Sequence, residues 1–176
     1  MSHRLLISAL LLSLFAGSRA YAWGDTAAQV WAARSNAIAS AVQQPLTDGD
    51  NPDDNSENVT AYLKNIDGAC SGLTGEHIKN GGRNMPVWAQ TAQQRFCLGI
   101  DNLQHAYKRD NADKSHCKDF RSAIGYAGKA KRGEDPDIVV DGAATLIAAA
   151  EKLLDTPIVL TKTGFLGNST RTFSCK

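Results

Sequence analysis

Apolar residues recur at helical spacing in five stretches of this chain. In the first, Ala27, Val30, Trp31, Ile38, Ala41 and Val42 share a stripe between a cap at Asp25 or Thr26 and a break at Pro45. The second opens at Ser56, carries Val59, Leu63 and Ile66, and stops near Gly68. Pro86 suits the first turn of a third, where a missing N–H is not needed. Trp88, Ala92, Phe96, Gly99, Leu103 and Ala106 form its main face, which Cys97 and Ile100 widen. Glycine inside a helix costs about 1 kcal/mol relative to alanine, so Gly99 points to a neighbouring helix at close approach. Ser115 caps a fourth helix with Phe120, Ala123, Ile124 and Ala127. Lys129, Lys131 and Arg132 lie near its negative end, and Gly133 breaks it. The fifth has Asp135 as cap and Pro136 and Asp137 in its first turn. Val139, Ala143, Leu146, Ala150 and Leu153 form its buried stripe, and Pro157 closes it.

Two longer connections separate these stretches: an acidic one from Thr47 to Glu57 and a glycine-rich one from Ser71 to Met85. The tail from Ile158 to Lys176 is rich in threonine and β-branched residues around Gly164 and Gly167, which predicts a small hairpin. The expectation is an all-α fold: one compact domain of about five helices with a C-terminal hairpin.

The amino terminus changes the picture by assigning a compartment. A basic start at His3 and Arg4, an apolar run from Leu5 to Ala16 and an A-x-A site ending at Ala22 have the layout of a secretory signal peptide. The run is shorter than the roughly 20 residues a membrane span needs. Residues 1–22 are therefore expected to be removed, leaving 23–176 as an exported, periplasmic domain without membrane insertion. Loss of Arg4 and Arg19 takes the formal charge from +1 to −1. That balance lacks the basic excess of a nucleic-acid or anionic-membrane binder.

In an oxidising compartment, Cys70, Cys97, Cys117 and Cys175 read as two disulfides, with three pairings open. Neighbouring cysteines stand 27, 20 and 58 residues apart, so they form no C-x-x-C metal or redox motif. Each closure is worth roughly 3–4 kcal/mol by the loop-entropy model. Oxidation also sets aside a thiol–imidazole pair at His116 and Cys117. His77, His105 and His116 fall in three different elements without ligand spacing. The D-G-D-N-P-D start of the acidic connection lacks the glycine and glutamate of a calcium loop. No catalytic residue, metal or cofactor is therefore assigned. The glycine-rich connection is the candidate binding element, because it presents Glu76, His77, Lys79, Asn80 and Arg83 on a backbone rooted at Cys70.

From Phe96-Cys97-Leu98-Gly99-Ile100 onward the pattern is similar to a known family. A first cysteine after a short helix (Cys70) precedes the C-x-G helix, and a third cysteine opens the next one (Cys117). A Pro-started Ala/Leu helix from Pro136 to Leu154 and a last cysteine near the C-terminus (Cys175) follow. With the signal peptide, the chain resembles the Rap/Tai immunity proteins, which guard the periplasm against peptidoglycan amidases delivered by type VI secretion. Here Lys118-Asp119 stands where a proline is usual, and a longer stretch separates Leu154 from Cys175. The resemblance implies a non-enzymatic protein whose loop occludes a secreted cell-wall-degrading effector enzyme, acting alone or as a homodimer. The alternatives are an inhibitor of lysozyme-type enzymes, a periplasmic carrier of a small apolar ligand, and a weak enzyme using His105 or His116.

Overall fold

The computed structural model describes residues 23–44, 55–71, 84–109, 114–164 and 167–176. Five helices form where the apolar period is helical: α1 (Asp25–Gln43), α2 (Ser56–Ser71), α3 (Val87–Arg109), α4 (Ser115–Ala127) and α5 (Asp137–Asp155). Strands β1 (Ile158–Gly164) and β2 (Gly167–Phe173) follow as an antiparallel hairpin, with Ile158 opposite Phe173 and Leu160 opposite Arg171. Consecutive helices pack on one another and α5 returns to α1, so the five close into a ring. No described helix is long and apolar enough to cross a membrane.

While Val59, Leu63 and Leu103 turn to a second core, most of the predicted stripe residues face the centre of that ring. Trp31, Ile38, Phe96, Ile100, Phe120, Leu146 and Ala150 are fully buried there. Among the α1 residues, Val30 is only half-buried, while Ala28, Ala32 and Ala39 join the core instead. Gly99 meets its expectation: a Cβ there would lie 2.6 Å from the Phe120 ring on α4. Gly142 does the same for α5 against α1, where a Cβ would meet Trp31 Nε1 at 2.9 Å and Ala32 Cα at 3.2 Å. Gly99→Ala is expected to destabilise the protein by about 1 kcal/mol, because overpacking a fixed ring outweighs the helix-propensity gain. Gly68→Ala, on an open face of α2, gains that propensity without a clash and raises the urea midpoint. A Gly99→Ala protein with an unfolding midpoint above the parent's would refute the packing argument.

Helix ends differ from the sequence expectation more than helix bodies do. Neither Asp25 nor Thr26 caps α1: Gly24 holds that position, with no side-chain cap bond. Ser115 is the first residue of α4 and Lys114 precedes it, again without a side-chain cap. The cap position of α5 falls to Pro136, not Asp135. The Asp135 carboxylate instead accepts the Trp23 indole N–H at 2.8 Å and the Lys131 backbone N–H at 2.9 Å, which ties the chain's early residues to the α4–α5 turn. α2 does not stop at Gly68 but runs to Ser71 and so includes Cys70. α4 ends at Ala127, where the Gly128 N–H donates to the Ile124 carbonyl and the Lys129 N–H to the Tyr126 carbonyl, so Gly133 belongs to the following turn with φ 82°.

The last turn of α1 shows how tertiary contacts replace local caps. Its Val42 carbonyl accepts the Lys152 ammonium at 2.9 Å and the Tyr62 hydroxyl at 3.0 Å. A cation there complements the negative helix end. Burial pushes the Tyr62 phenol up to about 12. The unfolded phenol ionises near pH 10 while the folded one stays protonated, so this contribution to stability is intact below pH 10 and is lost as the pH climbs towards 12. Tyr62→Phe should flatten that alkaline decline in a denaturation series from pH 9 to pH 12. An identical slope in the variant would show that other groups cause it.

The structure also selects the disulfide pairing. Cys70 at the end of α2 joins Cys97 in α3, and Cys117 in α4 joins Cys175 after β2. Among the described residues no cysteine is free. Two disulfides fit an oxidising environment. A second, smaller core seats the hairpin, with Ile158 and Leu160 packed on Val59, Leu63, Leu103 and Tyr107.

Candidate functional site

All five residues of the predicted binding loop, Glu76, His77, Lys79, Asn80 and Arg83, lie outside the described residues, as does the predicted signal peptide. The two roots of that loop are described, and both are firmly held. At the first root, Cys70 is bonded to Cys97, and the Arg34 guanidinium donates to the Cys70 carbonyl at 2.7 Å. Arg34 is buried, and desolvation lowers its pKa below the ordinary arginine value. No carboxylate pairs with it among the described residues, so the negative end of α2 is its compensation.

At the second root, the Gly24 N–H donates to the Asn84 carbonyl at 3.4 Å, and Gln90 Nε2 donates to the Met85 carbonyl at 2.8 Å. Met85 is buried in the main core. Beside it Trp23, Trp31 and Trp88 form a triangle with ring centroids 5.7–6.1 Å apart. Such aromatic contacts add rigidity beyond area burial. Val87, one residue from the cluster, is 77% exposed. The sequence foresaw the disulfide at this loop, but not Arg34 or the tryptophan triangle, which join residues distant in the chain.

The described histidines are not assembled into a site. His105 is exposed on α3, 3.5 Å from Asp101 one turn away. His116 is buried in α4, edge-on to Phe120. One of its ring nitrogens and the sulfurs of Cys117 and Cys175 fall within 4.8 Å of one another, but the sulfurs are joined as a disulfide. Neither sulfur is a thiolate, so the group has no nucleophile and no thiolate ligand in this state.

A second concave surface lies at the opposite end of α2. It is an open groove of about 460 Å3 between the exposed stripe of α2, the end of α3 and the hairpin. Glu57, Ala61 and Lys64 line one wall, and Lys162 enters from β1 on the other. Tyr107 forms the floor. Its hydroxyl donates to the Ser56 carbonyl at 2.8 Å and stands 3.2 Å from Thr60 Oγ1. The Lys162 ammonium sits 5.4 Å from the centre of the Tyr107 ring. Asn55 fixes the hairpin against α2: its N–H and Nδ2 donate to the Thr161 and Val159 carbonyls, and its Oδ1 accepts the Thr161 N–H. Nothing in the sequence pattern marks Lys64, Tyr107 and Lys162 as neighbours, because only the seating of the hairpin brings them together. No protein-family model matches the chain, and no curated protein or solved structure matches it either.

Proposed function

We propose that this is an exported, non-enzymatic periplasmic protein that binds and blocks a secreted peptidoglycan-degrading enzyme of the amidase type. The observation that carries the reading is the double anchorage of the glycine-rich segment. Twelve residues, 72–83, run between a disulfide with a buried arginine at one root and a tryptophan cluster at the other. A segment whose ends are already fixed loses less entropy on docking, so a small loop reaches useful affinity. Glu76, His77, Lys79, Asn80 and Arg83 supply donors and acceptors of both signs for a substrate cleft. The resemblance to Rap/Tai immunity proteins, the disulfides and the signal-peptide layout at residues 1–22 support the same reading.

The direct experiment mixes the mature protein with purified peptidoglycan amidases, any encoded by a neighbouring gene first, and measures release of soluble peptidoglycan fragments. Stoichiometric loss of that release is expected. Undiminished release, with no complex by size exclusion, would defeat the proposal.

A further inference from the structure

The groove between α2 and the hairpin is independent of that loop. Its centre lies in the first half of α2 and the loop root at Cys70 near the end, about 15 Å apart along the helix. We propose that this groove binds a short peptide through its free carboxylate, with Lys64 and Lys162 as the charged contacts. Neither lysine is in an ion pair among the described residues, and they converge from different elements on one hollow.

Three features select the ligand class. With Glu57 in the first turn of α2, the groove carries one net positive charge, which suits a carboxylate better than a phosphate dianion. Glu57 and Lys64 stand seven residues apart, about 10 Å along the helix, which is the length of three extended residues. A peptide of that length places its carboxylate near Lys64 and its ammonium near Glu57. The Tyr107 ring and Ala61 offer an apolar floor for small side chains, and the seat of Lys162 over that ring holds its ammonium at the groove.

The test uses trialanine and its C-terminal amide, titrated into the 15N-labelled mature protein. Trialanine should shift the amides of the first two turns of α2 and of Lys162, with a dissociation constant of about a millimolar. The amide form should bind about five- to tenfold more weakly, as expected for the loss of exposed ion pairs. Lys64→Met with Lys162→Met should weaken trialanine by a similar factor and lower the melting temperature by no more than a few degrees, the share of the lost Lys162–Tyr107 contact. Lys64→Met alone, which keeps Lys162 on Tyr107, should have a smaller effect. Absence of shifts well above millimolar peptide, equal binding of acid and amide, or full binding by the double variant would each overturn the assignment. None of these outcomes bears on inhibition of the hydrolase, so the two readings fail separately.

Discussion

Lys79→Ala combined with Arg83→Ala is expected to weaken the proposed complex with a cell-wall hydrolase by several kcal/mol, whereas neutralising Asp50, Asp53 and Asp54 changes mainly the salt dependence of association. The contrast follows from the charge each segment carries: 72–83 offers groups of both signs for a cleft, whereas the acidic segment offers like charges that act at long range. The segment 72–83 enters binding with both ends fixed, so charged groups on it bury against a partner at little ordering cost. Truncating buried, hydrogen-bonded charges at an interface typically costs at least about 2 kcal/mol per hot spot. Rim charges act chiefly on the encounter rate. Calorimetry of both variants against the hydrolase decides the matter. A second readout comes from fluorescence, since all three tryptophans of the chain lie in the triangle beside Met85. Docking of the loop should perturb that emission, and the Lys79/Arg83 variant should not. Normal binding by that variant together with loss of affinity in the aspartate variant would place the interface on the acidic segment instead.

Removing the Cys117–Cys175 disulfide by paired serine substitution should cost about 4 kcal/mol, the closure entropy of a 58-residue loop. The loop it closes contains all of α5 and the hairpin, so the small core of Ile158, Leu160 and Tyr107 loses its covalent tie to α4. Arg121 and Lys114 donate to the Cys175 and Lys176 carbonyls, but these exposed bonds do not replace the tie. Inhibition should survive in this variant at temperatures where it stays folded, because the Cys70–Cys97 root is untouched. The matched Cys70→Ser/Cys97→Ser protein should lose about 3.5 kcal/mol, from a 27-residue loop, and also lose affinity for the hydrolase. Urea unfolding and inhibition assays on both proteins test the two claims together. A Cys117/Cys175 variant destabilised by less than about 1 kcal/mol would show that the folded tail is held by other contacts.

Sequence by itself determined the five helices, their buried faces and the hairpin, because a 3.6-residue apolar period and a glycine-punctuated β-branched tail are local signals. It also determined the oxidised state of the cysteines and the reason for Gly99. Helix ends were less legible. Asp25, Thr26, Ser115 and Asp135 have capping chemistry, yet none caps its helix; Asp135 instead bonds Trp23 and the Lys131 N–H. Only the tertiary structure decided the pairing of the cysteines, the burial of Arg34 behind Cys70, the tryptophan triangle and the placing of Lys64 and Lys162 on one groove. Each joins residues far apart in the chain, and such pairings depend on which helix faces close the ring, a choice that no local period encodes.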